Sequence, residues 1–267
     1  MRIVILAQEE PAFMGPTLIE VIEKKSKDID FVVLFGLREG AKKPKKISEK
    51  IERFLVYLII FGFLGSIQVL RRRIIYYLMK NSKRRKDFYS IKRVCKRLNI
   101  PVHEFTSMNN HSFKELMKIK NVDIVLNQSD YIIPEDIILT TKRGIINRHG
   151  SLLPKHKGRM ASYWSHVEGR EYGITIHFLT KEIDSGDIIL QRKLNLSTKD
   201  SYYNIINKIF KESSCIILEA FSLLENTSFK PKPMDKINYK KNEFPTLKES
   251  LRHRKMFRKR RQCSNLI

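Results

Sequence analysis

Short β-branched runs alternate with stretches of helical spacing along most of the chain. Arg2–Ala7 is apolar and reads as a buried first strand. Pro11–Lys25 repeats apolar residues at Leu18, Ile19 and Ile22, a helical spacing, and Phe31–Phe35 is a second apolar run. This βαβ opening argues for a parallel sheet covered by helices. Pro101–Phe105 and Asp123–Asn127 predict further strands, and His111–Ile119 predicts a short helix capped near Asn110. Lys199–Leu224 carries an amphipathic pattern (Ile205, Ile206, Ile209, Phe210, Ile217, Leu218) and predicts a long helix, with Ser197-Thr198 as N-cap and Lys230-Pro-Lys-Pro233 beyond its end. The basic stretch Arg252–Arg261 reads as a helical tail. The expected architecture is an open, mostly parallel α/β sheet flanked by helices over residues 1–224, followed by a short basic extension over 225–267.

Residues 42–98 interrupt this rhythm. Phe54–Leu70 carries no charge and is bounded by Arg53 and by Arg71-Arg72-Arg73. More apolar residues follow to Met79, and basic runs stand further out at Lys42–Lys46 and Lys83–Lys86. The uncharged run sits at the lower edge of what crosses a bilayer, roughly 17–25 residues. Three readings stand: a hairpin of buried helices, a monotopic segment lying in an anionic membrane surface, and a true span. A single span would place the first strands and the later ones on opposite sides of a membrane, where one sheet could not form.

The candidate chemistry lies in residues 143–191. The run Ile145-Ile146 ends in Asn147 and His149, which alternation turns to one face at the end of a strand. That is where an open α/β sheet puts its chemistry. A basic loop with Pro154 and Gly158 follows, and a second apolar run, Gly173–Leu179, leads to the acidic turn Asp184-Ser-Gly-Asp187. Asn, His and Asp at neighbouring strand ends suit a proton-handling site, with Asp187 the competing carboxylate. Arg148 falls on the opposite face.

Asn147-x-His149, Ser151-Leu-Leu-Pro154-x-x-x-Gly158 and Asp184-x-Gly186, in that order and spacing, resemble the signature of the folate-dependent formyltransferases. The resemblance implies the Rossmann-like formyltransferase fold and an enzyme that moves a formyl group from N10-formyltetrahydrofolate to a primary amine, with no metal. It implies Asn147 as amide donor to the formyl oxygen, His149 as polariser and proton carrier, and Asp184 as the carboxylate that orients His149 and receives the amine proton. Tyr131, Ile132 and Ile133, before Pro134, match by position the tripeptide whose backbone binds the pteridine, with Asp184 also on the folate side. Gln128, Ser129 and Asp130 stand where smaller residues are expected. Ser151, Lys157 and His177 fall on the acceptor side. The turn after the first strand, Gln8-Glu9-Glu10-Pro11, lacks the glycine-rich phosphate loop expected of the glycinamide-ribonucleotide branch.

Charge and cysteine usage narrow the partners. Lys and Arg total 52 against 28 acids, a net +24, which favours nucleic acid, anionic lipid or phosphorylated small molecules; a genome that writes Lys freely gives the same excess. Cys95, Cys215 and Cys263 are far apart and odd in number, so they read as neither a disulfide framework nor a metal cluster. The N-terminal apolar run is too short for a signal peptide. The expected acceptor is an amino sugar on a nucleotide or lipid carrier, as in surface polysaccharide synthesis. The expected location is cytoplasmic, with a peripheral seat at the inner face of the cell membrane as the variant. Methionyl-tRNA and a non-catalytic membrane-associated role are the alternatives. The short tail speaks against the separate C-terminal barrel of the tRNA enzymes, and the intact Asn147, His149 and Asp184 set speaks against the non-catalytic role.

Overall fold

Every side chain of the first strand, β1 (Ile3–Ala7), is buried, because it lies mid-sheet with a helical layer on each face. The computed structural model describes residues 1–36, 47–79, 90–120, 122–169, 171–197, 200–235, 237, 239 and 241–263. In chain order the elements after β1 are α1 (Met14–Lys24), β2 (Ile29–Phe35), α2 (Ile47–Met79), α3 (Ile91–Arg97), β3 (Val102–Phe105), α4 (His111–Ile119), β4 (Ile124–Gln128), α5 (Glu135–Ile138), β5 (Ile145–His149), α6 (Ala161–Glu168), β6 (Tyr172–Phe178), β7 (Ile188–Leu194), α7 (Tyr202–Glu225) and α8 (Leu247–Cys263).

Among the described residues seven strands join in the order β3-β2-β1-β4-β5-β6-β7. The first five pair in parallel, whereas β6 and β7 run antiparallel. Alternation sorts the strand residues between two cores. Ile3, Ile5, Ile146, Ile174 and Ile176 face the layer of α1, α3 and α7. Val4, Leu6, Val125 and Ile145 face the layer of α4 and α5. The mostly parallel sheet flanked by helices is therefore the architecture found.

Local chemistry sets the helix ends. Asn110 accepts the amide of Phe113 at 3.2 Å and starts α4 where expected. The long helix α7 starts later than Ser197-Thr198 suggests. Its cap is Ser201, whose hydroxyl accepts the amide of Asn204 at 3.2 Å, and Thr198 and Lys199 lie outside the described residues.

The insertion differs most from a buried hairpin. It folds into α2, broken at Gly62 (φ 70°, ψ 173°), and within it only Val56, Ile60 and Gly65 are buried. It rests on α7 and α8 through an aromatic cluster with Tyr163, Tyr202 and Phe244. The basic runs Lys42–Lys46 and Lys83–Lys86 lie outside the described residues.

Candidate active site

Strand register brings the first polar groups together. Asn127 of β4 pairs with Asn147 of β5, and Asn147 pairs with His177 of β6. Directly paired residues point to the same face, so these three form a polar row across the sheet. His149 stands two residues beyond Asn147, on the same face. Arg148 points to the other face, where its guanidinium lies 4.2 Å from the centre of the Phe210 ring and burial pushes its pKa down to about 10.

Asp184 closes the cluster from the turn after β6. Its Oδ2 is 3.6 Å from Nδ1 of His149 and its Oδ1 is 3.7 Å from Nε2 of His177. The amide of Gly158 donates to Oδ2 at 2.7 Å. Asp184 itself adopts a left-handed backbone conformation, φ 51°, which a non-glycine residue holds at a cost. Asp187 is exposed, whereas Asp184 is buried against the two imidazoles.

Two glycines make this turn fit. A Cβ on Gly186 would lie 2.1 Å from the carbonyl oxygen of Phe178, inside van der Waals contact with backbone. A Cβ on Gly158 would lie 2.5 Å from the carbonyl oxygen of Asn242, and Gly158 also needs φ 90°. The glycines of both motifs are therefore required by close backbone approach.

The two histidines present different nitrogens to the carboxylate. His149 Nε2 lies 2.9 Å from the carbonyl oxygen of His156; a carbonyl only accepts, so Nε2 carries the proton and Nδ1 faces Asp184. His177 Nδ1 lies 2.8 Å from the carbonyl oxygen of Phe178, so Nδ1 is the donor there and Nε2 is the bare side. That Nε2 is buried and has no hydrogen-bond partner. Burial, and then His149, push the His177 pKa down to about 4, with Asp184 pulling against them. His177 is therefore a neutral imidazole aimed at the carboxylate.

Asn147 is oriented by a residue whose role the chain order does not reveal. Gln128 Nε2 donates to Asn147 Oδ1 at 2.9 Å, which leaves the amide N–H groups of Asn147 for another acceptor. The cue in the sequence is only that Gln128 follows Asn127 at the end of β4. The other named residues fall nearby. Tyr131 packs on Phe35 at 5.0 Å and its hydroxyl donates to the carbonyl of Thr106 at 2.7 Å. Ile133 is buried and Ile132 exposed, and the backbone of both lies outside helix and strand pairing. Lys157 Nζ donates to Ser185 Oγ at 2.8 Å, which puts a cation beside the Asp184 turn. Ser151 is fully buried and donates to the carbonyl of Lys155 at 2.8 Å, so its hydroxyl shapes the loop.

The turn after β1 already holds an anion. The Glu10 carboxylate accepts the amides of Ala12, Phe13 and Met14 at 2.9, 2.7 and 2.8 Å. An internal carboxylate thus occupies the amides that a substrate phosphate would use. A cavity of about 230 Å³ is lined by Leu152, Lys155, His156 and Glu171, and touches the cluster around Asp184 through His156, whose carbonyl bonds His149. Among the described residues, no group of three or more His, Cys, Asp or Glu side chains is placed to hold a metal ion.

A donor amide, two imidazoles and a carboxylate on one sheet face can stabilise an oxyanion and move a proton. Comparison with known proteins agrees with that chemistry. The formyl transferase family model matches residues 78–221, beginning at the end of α2. A methionyl-tRNA formyltransferase of Chlorobium chlorochromatii strain CaD3 is 27% identical over 146 residues, 54% of this chain and 46% of that protein. The chain thus spans about half the length of the curated relatives it matches. Among solved structures, glycinamide ribonucleotide transformylase 1 from Symbiobacterium toebii aligns over 88% of this chain and 94% of its own, with TM-score 0.56 and 17% identity. The sugar 3N-formyl transferase WlaRD, solved with dTDP and 5-N-formyl-THF, aligns over 91% of this chain and 69% of its own, with TM-score 0.52 and 19% identity. At these identities the structural likenesses speak for the fold.

Proposed function

We propose that this chain, which belongs to the formyl transferase family, transfers the formyl group of N10-formyltetrahydrofolate to a primary amine. The observation that carries this reading is the position of Asp184 within 3.7 Å of both His149 and His177, beside the oriented amide of Asn147.

The reaction is acyl transfer: the amine attacks the formyl carbon, negative charge gathers on the formyl oxygen, and the folate nitrogen leaves with a proton. The Asn147 amide N–H serves that oxygen, since Gln128 holds the other end of the side chain. Such a donor contributes on the order of 3–4 kcal/mol to the transition state. The imidazole of His149 supplies a second polarising group when Nε2 exchanges the His156 carbonyl for the substrate oxygen. Asp184 takes the proton of the attacking amine, and the neutral Nε2 of His177 then shares it. In this reading the backbone of Ile132 and Ile133, outside helix and strand, receives the pteridine, and Lys157, beside the Asp184 turn, receives an anionic group of the acceptor.

The acceptor in this proposal is an amino sugar on a nucleotide or lipid carrier, handled in the cytoplasm. The Glu10 carboxylate in the first turn argues against a phosphate held there as in the glycinamide-ribonucleotide enzymes. Methionyl-tRNA is the second reading, favoured by the sequence relatives and the +24 charge. A panel of amines incubated with the chain and N10-formyltetrahydrofolate separates the two by mass spectrometry. The sugar reading expects a gain of one carbonyl on an amino sugar, insensitive to moderate salt. Formylation of methionyl-tRNA alone, falling steeply with salt, would replace it.

A further inference from the structure

The formyl transfer reading leaves α2 without a task. Its inner side is firmly docked. Phe61 stacks on Tyr202 at 5.7 Å and on Phe13 at 6.2 Å. Gly65 lies so close to α7 that an added Cβ would sit 2.8 Å from the Cβ of Tyr203. Arg72 donates to the carbonyl of Ala12 at 2.6 Å and to the side-chain oxygen of Asn207 at 2.7 Å. The outer side is apolar and open: Phe54, Phe63, Leu64, Leu70, Tyr77 and Leu78 are each more than half exposed, Phe63 and Leu64 at 73% and 76% beside the Gly62 break. A contiguous apolar face of this kind marks a binding surface.

What covers it follows from charge and topology. The helix is long and apolar enough to cross a membrane by length and composition. However, it leaves from β2 and the chain returns to β3, which pairs with β2, so both ends stay on one side. At about 1.5 Å per residue each half reaches on the order of 25 Å, short of a hydrocarbon core of roughly 30 Å. Exposed Arg71 and Arg73 adjoin Leu70. The helix α8 packs against α2 and adds exposed Arg252, Lys255, Arg258 and Lys259. A second copy of a chain with net charge +24 would bring these cations together, whereas an anionic leaflet meets both the apolar face and its basic margin.

The docked helix also borders the site. Tyr57 packs on Phe244 at 5.4 Å. Two residues earlier, the Asn242 amide donates to the carbonyl of Lys157 at 2.8 Å, beside the Gly158 amide that holds Asp184. We propose that the two halves of α2 lie within an anionic membrane leaflet and seat the Asp184 cluster at its surface, so that the acceptor amine is borne on a lipid. The choice of acceptor rests on the formyl transfer reading; the seating does not.

Flotation of the purified full chain tests the seating without any folate. Vesicles of phosphatidylcholine with phosphatidylglycerol should carry at least about tenfold more protein than phosphatidylcholine alone. Phe63→Glu with Leu64→Glu, both on exposed positions, should abolish flotation with melting temperature unchanged. Equal flotation of this variant, or none by the wild type, overturns the seating. A switch from dimer to monomer in the variant, without vesicle binding by the wild type, overturns it in favour of self-association. For the acceptor, the same variant should lose about tenfold or more in formylation of a vesicle-borne aminoglycolipid and keep its rate on the soluble amino sugar. Equal loss on both overturns the lipid acceptor, while absence of transfer to any amine by the wild type sinks the formyl transfer reading and leaves the flotation result standing.

Discussion

At the residue scale the site depends on which atoms are left unpaired. Replacing Asn147 by Ala removes the amide N–H groups while the strand remains, and should lower kcat by about 10²–10³ with KM little changed. Gln128→Ala should cost less, about tenfold, because it frees Asn147 to rotate without removing its donor; an unchanged rate would show that the Gln128 contact orients nothing. His177 makes a prediction in pH. Burial holds its folded pKa near 4, below the ordinary 6.5, so between these values the unfolded chain binds more protons than the folded one. Stability should therefore rise as pH increases from about 4 to 6.5, and fall by on the order of 2–3 kcal/mol on the way back down. Melting temperatures across that window should show a shallower slope for His177→Gln; identical slopes would mean His177 is not buried neutral. Asn147, His149 and Asp184 were legible because alternation and local motif spacing mark them. Gln128 and the aim of His177 Nε2 were not: the Gln128 contact depends on the register of β4 with β5, and His177 meets Asp184 only because the turn after β6 folds back over the strand.

At the scale of elements, legibility followed amphipathicity. The helices α4 and α7 each bury one stripe that their periodicity shows, whereas β1 and β2, buried on both faces, show as short continuous apolar runs. The cap of α7 was misplaced because Ser197-Thr198 and Ser201 offer the same side-chain chemistry, and only the path of the chain decides between them. Between Phe54 and Leu70 the helix α2 carries no charge on any side, so no periodicity says which side docks, and Gly62 breaks it where glycine alone takes φ 70° and ψ 173° freely. Gly62→Ala should destabilise the protein by about 1–3 kcal/mol while leaving the Asp184 turn in place. Gly186→Ala acts on the Asp184 turn itself. Its Cβ cannot coexist with the Phe178 carbonyl, so the Asp184 turn must move and transfer should be lost even where the melting temperature falls only moderately. A Gly186→Ala enzyme with wild-type kcat would contradict the close approach seen here.

At the scale of the molecule, one sheet with helices on both faces carries the polar row of Asn127, Asn147 and His177 between β4, β5 and β6, and the Asp184 turn folds over it. The α/β class was readable from the order of the runs; the antiparallel turn of β6 and β7 was not, because a strand's sequence does not record its neighbour's direction. In the proposed reaction Asp184, between two imidazoles, handles the proton of the formyl transfer. Asp184→Asn keeps an oxygen for the Gly158 amide and so should keep the fold. The most direct measurement is single-turnover transfer of isotopically labelled formyl from N10-formyltetrahydrofolate to the acceptor amine, wild type beside Asp184→Asn. The wild type should give labelled formamide product, and the variant should lose about 10²–10⁴ in rate at unchanged melting temperature. Comparable rates in the two proteins would contradict it.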